Sequence, residues 1–312
     1  MPDTTDAATG LPIVSLYGAT DAQRRPSPKT MSAVDAVVID LQDAGVRFYT
    51  YETIVGYFLE AAAQTGTEIV VLDRPNPING AMVQGPLSDA GKQSYVDYMP
   101  VPVRHGMTLG ELARFFNQQR PLNAPLTVVA MQGWQRGDWF DSTGLTWINP
   151  SPNLRDLEEA TLYPALGLIE STNISVGRGT DTPFEIFGAP WTEGRALARF
   201  LNRRFLPGVR FLAVDFSPQK PYPYAGELCH GDRVLVTDSN VLDAPELGVE
   251  IASALHRLYP EKFQWEKMNS NLANQTVLDN LVAGRDPQRI AEGWRSALDG
   301  FDVEREKVLL YR

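Results

Sequence analysis

Residues 36–72 read AVVIDLQDAGVRFYTYETIVGYFLEAAAQTGTEIVVL, and this stretch decides the fold class. The runs 36–41 and 68–72 are short, apolar and rich in β-branched residues, which is typical of buried strands. Between them, residues 52–65 carry apolar side chains at helical spacing, and Gly66 follows as a glycine often does at a helix end. A strand, a helix and a second strand in this order predict a parallel sheet.

The same alternation continues on both sides of this unit. Residues 12–17 and 126–130 have the composition of two further buried strands. Residues 108–118 are predicted to form a helix, with Thr108 as its N-cap and Glu111 completing a capping box. Because helices alternate with strands, we expect a sheet covered on both faces.

The second half of the chain has a different pattern. A stretch rich in proline, glycine and asparagine, residues 133–153, interrupts the alternation, and a glycine-rich loop follows at 175–188. The elements predicted here are helices within 154–167 and at 192–205, 247–259 and 287–298, and strands at 209–216 and 233–237. Asp286 and Pro287 form a favourable helix start. We therefore expect two α/β subdomains, residues 1–145 and 146–312, with the boundary near 135–150.

Composition excludes several classes of protein. The 312 residues carry a formal net charge of −10, which disfavours nucleic acid as a partner. No apolar run approaches the ~20 residues of a membrane span. Residues 1–10 are polar without a signal-peptide core, so we expect a soluble, cytoplasmic protein. The single cysteine, Cys229, allows no intramolecular disulfide, and no spacing of cysteine and histidine indicates a metal site.

Six stretches are too rich in polar, proline and glycine residues to be simple connections. They are residues 40–51, 72–80, 102–108, 147–154, 170–185 and 224–227. Ligands of open α/β sheets bind beyond the carboxyl ends of the strands, where several of these stretches are expected. No phosphate-binding loop of the P-loop or Gly-x-Gly-x-x-Gly type follows a strand, which disfavours a nucleotide-dependent enzyme and a nucleotide cofactor.

Acidic side chains and one histidine in these stretches are candidates for acid–base chemistry. The catalytic candidates are Asp40, Asp43, Glu170, Glu185 and His105, and Asp181 is a further acid that can bind a ligand. Asp43 has a second interpretation, in which it caps the turn that follows.

Four arginines in the same stretches are candidates for binding an anion. They are Arg47, Arg74, Arg104 and Arg178. A guanidinium group presents a planar fork that suits a carboxylate, although each arginine has the alternative of pairing with a neighbouring aspartate. Four tryptophans, Trp134, Trp139, Trp147 and Trp191, either stack on sugar rings or pack in the core. This inventory suits a polyhydroxylated, partly anionic ligand.

Three motifs, at residues 40–51, 72–80 and 176–185, give the sequence a family resemblance. They are Asp-Leu-Gln-Asp-x-Gly-x-Arg-Phe-Tyr-Thr-Tyr, Leu-Asp-Arg-Pro-Asn-Pro-Ile-Asn-Gly and Val-Gly-Arg-Gly-Thr-Asp-x-Pro-Phe-Glu, in that order. The sequence thereby resembles the NamZ-type exo-β-N-acetylmuramidase family. The resemblance implies a Rossmann-like parallel sheet subdomain packed against a second α/β subdomain, with the active cleft between them.

The resemblance also implies a function and site roles. The chain would be an exo-acting glycoside hydrolase that releases N-acetylmuramic acid from the non-reducing ends of peptidoglycan fragments, with muramyl saccharides as its partners. An arginine would bind the lactyl carboxylate. Amides would bind the N-acetyl and hydroxyl groups, and the candidates are Asn76, Asn79, Asn149 and Asn173.

One departure from the family pattern affects the expected activity. Family members usually carry a further N-terminal segment with a Ser-Pro-Glu-His-Gly motif, whose glutamate looks like the catalytic acid, and this sequence has no such motif. We therefore expect a Rossmann-like sheet that is incomplete at its N-terminus, with a hydrophobic edge uncovered. A sugar-binding remnant without catalysis is the alternative function.

Overall fold

The computed structural model describes residues 3–312, which fold around two three-stranded sheets. The strands are β1 (Thr4–Thr5), β2 (Pro12–Ile13), β3 (Ala36–Ile39), β4 (Glu68–Leu72), β5 (Gln84–Leu87), β6 (Pro102–Arg104), β7 (Leu126–Val129), β8 (Ile186–Ala189), β9 (Val209–Phe216) and β10 (Cys229–Val236). The α-helices are α1 (Asp21–Arg24), α2 (Pro28–Met31), α3 (Tyr51–Thr65), α4 (Leu109–Gln119), α5 (Leu157–Ile169), α6 (Gly194–Asn202), α7 (Ala244–Leu258), α8 (Asn269–Leu272), α9 (Gln275–Val282) and α10 (Pro287–Glu306).

The first sheet is parallel, in the order β3-β4-β7, as the sequence predicts. Helices α3 and α4 cover one face, where Ile69 and Val71 of β4 are fully buried. On the other face Val38 is 58% exposed and Val129 is 49% exposed. Within residues 3–312, the expectation of a sheet covered on both faces is therefore wrong.

The predicted buried strand at residues 12–17 is also wrong. Only β2 is extended there, and it pairs with β1 in a small hairpin apart from the main sheet. Its Ile13 is 45% exposed and the adjacent Val14 is 49% exposed. A short apolar run has the same composition whether or not other elements cover it, so its burial does not follow from its sequence.

The helix ends of the first half follow the predicted signals. Thr108 accepts a hydrogen bond from the backbone N–H of Glu111 at 3.2 Å, and its own N–H donates to the Glu111 carboxylate at 3.0 Å. Gly66 ends α3 with a φ of 75°, a left-handed conformation that glycine adopts without strain. These two ends fix how α3 and α4 lie on the sheet.

The second sheet is antiparallel, with β10 between β8 and β9. Helix α6 packs on β9 and β10, and α5 packs against α7. The sequence predicts β9 with its observed ends, and α10 begins after the expected cap at Asp286. Strand β8 overlaps the end of the predicted glycine-rich loop, and the β5–β6 pair lies where no strand is predicted.

Each half of the chain contributes residues to the hydrophobic core of the other half. Val46 and Phe48, from the loop after β3, pack in the core of the second half. Phe301 and Val308, at the end of the chain, pack in the core around the first sheet. The loop after β3 thus joins both halves, and the boundary between 1–145 and 146–312 stays a prediction.

Candidate functional site

The carboxyl ends of β3 and β4 open into a cavity of about 460 Å³, named here the Asp40 cavity. Asp40 follows β3 and Arg74 closely follows β4. The Arg74 Nε donates to Asp40 Oδ1 at 2.6 Å, and both side chains are nearly half exposed. This hydrogen bond holds the pKa of the Asp40 carboxyl below its ordinary value. Trp147 and Asn149 also line the cavity.

A second cavity of about 460 Å³ lies beyond β4 and β7 and is named here the Trp134 cavity. It shares Arg74 and Leu145 with the Asp40 cavity, and Asp73 forms part of its wall. The Asp73 carboxylate accepts hydrogen bonds from the Thr108 hydroxyl at 2.6 Å and the Gly110 N–H at 2.8 Å. Burial raises the pKa of Asp73, although these hydrogen bonds lower it.

A third cavity of about 470 Å³, the Glu170 cavity, lies against the second half of the chain. Glu170 directly follows α5, and its carboxylate is hydrogen-bonded to the guanidinium group of Arg178 from the glycine-rich loop. The Tyr222 ring lies under that guanidinium, with its centroid 4.7 Å from the Arg178 carbon. Asn153 donates to the Tyr222 hydroxyl at 3.1 Å, so a polar loop supports the stack.

The surroundings of Glu170 favour its protonated form. Its side chain is only 20% exposed, and burial raises the pKa of the carboxyl while the nearby Arg178 charge opposes that rise. Burial dominates because the apolar rings of Phe48, Tyr163 and Phe184 line the same cavity. A partly buried carboxyl group can donate a proton, and the cation fixed beside it can bind an anion.

The Asp40 and Glu170 cavities share a wall. Tyr49 lines the Glu170 cavity and Tyr51 lines the Asp40 cavity, and their ring centroids lie 4.8 Å apart. Pro150 and Ser151 are likewise divided between the two cavities. The Tyr49 hydroxyl donates to the Pro150 carbonyl at 2.7 Å, which ties the two sides of the wall together.

Asp43 and His105 lie beneath these cavities rather than in them. The His105 Nε2 is 3.4 Å from Asp43 Oδ2, and the two residues are 0% and 3% exposed, respectively. The Asp43 carboxylate also accepts the Gly45 N–H at 2.7 Å, in agreement with the turn-capping interpretation. Neither side chain lines any of the three cavities, and their role in catalysis stays a prediction.

Arg47 was predicted to bind substrate, but its side chain lies in the protein interior. It is 0% exposed, and its terminal nitrogens donate to four backbone carbonyls, those of Pro86, Val101, Asn271 and Leu272. Its Nε lies 2.9 Å from Asp97 Oδ1. With its donors turned to the protein interior, Arg47 holds the two halves of the chain together.

Three more predicted ligand-binding residues are buried in the same way. Arg104 is 2% exposed, stacks on Trp139 and donates to the Ile78 carbonyl, and burial lowers its pKa to about 9. Asn76 donates to the Met107 carbonyl at 2.9 Å, and Asn79 accepts two backbone N–H groups of its own turn. These side chains satisfy the backbone of buried loops.

Three predicted residues of the second half also lie away from the cavities. Asn173 is bonded through its side chain to the backbone of residues 262 and 264. Asp181 is fully exposed, 3.7 Å from Arg155. Glu185 is 4% exposed and pairs with Arg233 at 2.5 Å.

Glu185 belongs to an acidic cluster with Asp156 and Glu159, whose carboxylate oxygens lie within 4.8 Å of one another. Burial raises the pKa of Glu159 to about 7 and also raises that of Glu185. Arg155 pairs with Glu159 and Arg233 pairs with Glu185, so two of the three carboxylates have protein cations as partners.

The structure thus brings together five of the predicted site residues. They are Asp40, Arg74 and Asn149 in the Asp40 cavity and Glu170 and Arg178 in the Glu170 cavity. Sequence reasoning missed Tyr49, Tyr222 and Asn271, which also line the Glu170 cavity. Tyr49 lies inside one of the six polar stretches, whereas Tyr222 lies two residues before another and carries no signal of its own.

The fold and the cavities define a class: an α/β protein with a polar, aromatic cleft beyond the carboxyl ends of its parallel strands. Sequence comparison then gives the family. The model described as "Exo-beta-N-acetylmuramidase NamZ, N-terminal" matches residues 1–158, and its C-terminal counterpart matches residues 161–311. The chain belongs to the NamZ exo-β-N-acetylmuramidase family.

A relative from Bacillus subtilis (strain 168) is described as peptidoglycan beta-N-acetylmuramidase NamZ. The two sequences are 41% identical over 312 residues, which cover 98% of this chain and 74% of the relative. Because the N-terminal family model matches from residue 1, the expected loss of the family's N-terminal segment is not confirmed.

Two solved structures of DUF1343 family proteins from Bacteroides fragilis NCTC 9343 have the same fold. BF0371 superimposes with a TM-score of 0.91 at 33% identity, and BF0379 with a TM-score of 0.79 at 30% identity. Each match covers 99% of this chain and 82% of the other. Among residues 3–312, no helix has both the length and the apolar character that crossing a bilayer requires.

Proposed function

We propose that this protein is an exo-acting glycoside hydrolase that releases N-acetylmuramic acid from the non-reducing ends of peptidoglycan fragments. The observation that supports this most is the pairing of Glu170 with Arg178 in a cavity of about 470 Å³ lined by aromatic rings and amides. A cavity of this volume accommodates a single sugar residue. Family membership and the B. subtilis relative support the same reaction.

Arg178 distinguishes muramic acid from other amino sugars. N-acetylmuramic acid carries a lactyl carboxylate that N-acetylglucosamine lacks. The Arg178 side chain is 36% exposed, and its guanidinium carbon lies 4.7 Å from the centroid of the Tyr222 ring. A guanidinium group has five N–H donors, so Arg178 can bind a second carboxylate besides Glu170.

Glu170 and Asp40 divide the chemistry between them. Glycoside hydrolysis needs a proton donor for the leaving oxygen and an anionic group for the oxocarbenium-like centre. Burial raises the pKa of Glu170, whereas the hydrogen bond from Arg74 lowers the pKa of Asp40, so Glu170 is the better proton donor of the two and Asp40 is the more readily ionised. The bond from the anomeric carbon to the leaving oxygen breaks, Glu170 protonates that oxygen, and water supplies the new hydroxyl.

The direct test is release of para-nitrophenol from para-nitrophenyl β-N-acetylmuramide by the 312-residue chain. We expect release by the wild-type protein, and a fall in kcat of roughly 10²-fold or more in Glu170→Gln, since general-acid catalysis contributes about 10²–10⁴-fold. Glu261→Gln, at an exposed acid outside the six polar stretches and the three cavities, is the control and should retain activity.

Two outcomes would contradict the proposal in different ways. Wild-type activity retained in Glu170→Gln would remove Glu170 from the mechanism. Binding of N-acetylmuramic acid without any release of the chromophore would identify a sugar-binding protein instead of an enzyme.

A further inference from the structure

One face of the parallel sheet has no covering layer among residues 3–312. Helices α3 and α4 pack on the face that holds Ile69 and Val71. The opposite face, named here the bare sheet face, consists of neighbouring side chains of the three paired strands: Ala36, Val38, Val70, Leu72, Thr127 and Val129. Val38 is 58% exposed, and none of these residues belongs to a hydrophobic core. All-parallel sheets are almost always covered on both faces, so a further layer is expected here.

The beginning of the chain presents a second apolar surface. Residues 3–17, named here the hairpin arm, contain β1 and β2, and within residues 3–312 their hydrogen bonds are made to one another. None of them is buried, and none packs in a hydrophobic core. The exposed apolar side chains of the arm are Leu11, Ile13, Val14 and Tyr17. A single exposed apolar side chain is common, but four of them within residues 11–17 form a patch.

The base of the arm is fixed on the side of the sheet away from the bare sheet face. Helix α1 follows the arm, and its Asp21 accepts a hydrogen bond from the Tyr57 hydroxyl of α3. Arg25 pairs with Glu60 of α3 at 2.5 Å, and its guanidinium carbon lies 3.8 Å from the centroid of the Tyr57 ring. Because α3 covers the opposite face, the arm begins on the wrong side of the sheet to cover the bare face of its own chain.

The size of the two surfaces indicates how two chains combine. Three strands of about four residues, spaced about 4.8 Å apart and rising about 3.3 Å per residue, give the bare sheet face a projected area of roughly 200 Å². A stable interface buries about 800 Å² on each partner, so two bare faces alone are too small. In a twofold dimer each chain contributes both an arm and a face, and each contact is made twice. A hairpin of this length reaches roughly 25 Å from its base, which is enough to span the face.

We propose that the chain forms a twofold dimer in which the hairpin arm of each copy packs on the bare sheet face of the other. Exchange of a segment between identical chains is a low-cost route to dimers. Neither surface lines any of the three cavities, so the dimer leaves the proposed cleavage site open. The inference therefore does not depend on the proposed function.

Sedimentation equilibrium of the full chain, at a series of micromolar concentrations, tests this arrangement. We expect a species with twice the mass of one chain. Val38→Lys on the face and, separately, Ile13→Asp with Tyr17→Asp on the arm should each raise the dimer Kd at least about tenfold, since each variant buries a charge in an apolar contact. Leu212→Lys is the matched control and should stay dimeric, because Leu212 is also 58% exposed but lies on β9.

Mixing the two variants distinguishes arm exchange from other contacts between copies. The face variant keeps an intact arm and the arm variant keeps an intact face, so the mixture can form one arm–face contact that neither variant forms alone. We expect the mixture to associate more tightly than either variant by itself.

A wild-type chain that stays monomeric over this concentration range would overturn the inference. A dimer that survives either set of substitutions, or a mixture that associates no better than its components, would overturn it as well. Because the arm packs in neither core, the arm variant should keep the circular dichroism spectrum of the wild type, and its loss of the dimer then reports on the interface and not on folding.

Discussion

Arg178 carries the selectivity of the proposed site. Its guanidinium group contacts Glu170 on one side and the Tyr222 ring on the other, so its orientation is fixed before a ligand arrives. A fixed guanidinium loses little conformational freedom when it binds a carboxylate. The sugar that gains most from this arrangement is the one with a carboxylate.

Replacement of Arg178 by Ala should therefore weaken binding of N-acetylmuramic acid more than binding of N-acetylglucosamine. A hydrogen bond to a charged group contributes about 1.5–3 kcal/mol, so we expect a loss of roughly 10- to 100-fold for the first sugar only. Titration calorimetry with both sugars measures the difference. Equal losses of affinity for the two sugars would show that Arg178 supports the cavity without binding the carboxylate.

Asp232 on β10 makes a different contribution, to the pH dependence of stability. It is 0% exposed, and neither carboxylate oxygen has a hydrogen-bond partner within residues 3–312. Burial raises its pKa from 3.8 to about 8. Because the folded state holds this proton more tightly than the unfolded state, the carboxyl favours folding at low pH and disfavours it progressively as the pH rises toward 8.

Replacement of Asp232 by Asn should remove this effect while keeping the shape of the protonated acid. Between about pH 4 and pH 8 the stability advantage of the variant should grow by about 1.4 kcal/mol per pH unit, reaching roughly 4 kcal/mol at pH 7. Urea denaturation at pH 5, 6, 7 and 8 measures it, with Asp299→Asn, at an exposed position, as the control. A constant difference across this range would mean that Asp232 is already solvated or paired.

Whether an arginine of a loop binds ligand or protein could not be predicted from the sequence. Arg74 and Arg178 reach cavities, whereas Arg47 and Arg104 are fully buried, although all four lie in similar polar stretches. The direction of each side chain depends on which distant carbonyls lie within reach, as with the carbonyl of Leu272 for Arg47. Contacts of this kind, between residues far apart in the chain, cannot be predicted from the local sequence.

The tail after α10 is an element that supports the site from the far end of the chain. The Tyr311 hydroxyl donates to Asp73 Oδ2 at 2.6 Å and accepts the Met131 N–H at 3.1 Å. The backbone of Arg312 accepts the Arg136 N–H at 2.8 Å. The tail therefore joins the loops that follow β4 and β7, immediately beside the Trp134 cavity.

Replacement of Tyr311 by Phe removes the hydroxyl while keeping the ring. It leaves a carboxylate oxygen and a backbone N–H each with one partner fewer, so the free energy of unfolding should fall by about 1–3 kcal/mol. Equilibrium urea denaturation measures the change. Tyr17→Phe, at a tyrosine that is 84% exposed, should change stability by less than about 0.5 kcal/mol, and an equally small effect at Tyr311 would contradict the supporting role.

At the scale of elements, the sequence was most informative where local chemistry fixes the structure. The cap at Thr108, the glycine after α3 and the strands β4 and β9 are found where they were predicted, because propensity and capping act within a few residues. Strand β8 could not be predicted, since its glycine-containing sequence becomes a strand only by pairing with β10. Of the site, the polar stretches were found, but their partition into separate cavities depends on tertiary packing.

At the scale of the whole molecule, Arg47 links the two hydrophobic cores. It lies in the loop after β3, between the residues that pack in the core of the second half, and donates to carbonyls on both sides of the junction. Asp97 compensates part of its charge, and burial raises the pKa of this aspartate to about 6 although the arginine opposes the rise. Asn271, whose carbonyl accepts from Arg47, also lines the Glu170 cavity.

Replacement of Arg47 by Met should therefore destabilise the protein by about 3–5 kcal/mol, the usual consequence of removing one partner from a buried ion pair. Because one guanidinium joins the halves, we also expect a higher KM for the chromogenic muramide from the loosened Asn271 wall, with a smaller change in kcat. Urea denaturation and initial-rate kinetics measure the two effects.

Two further variants serve as comparisons. Arg47→Lys keeps the charge but loses the planar guanidinium group, so its stability and its KM should lie between those of wild type and Arg47→Met. Arg289→Met, at an arginine whose side chain is 76% exposed, should match wild type. If Arg47→Met kept both its stability and its KM, the two cores would be held together by apolar packing alone.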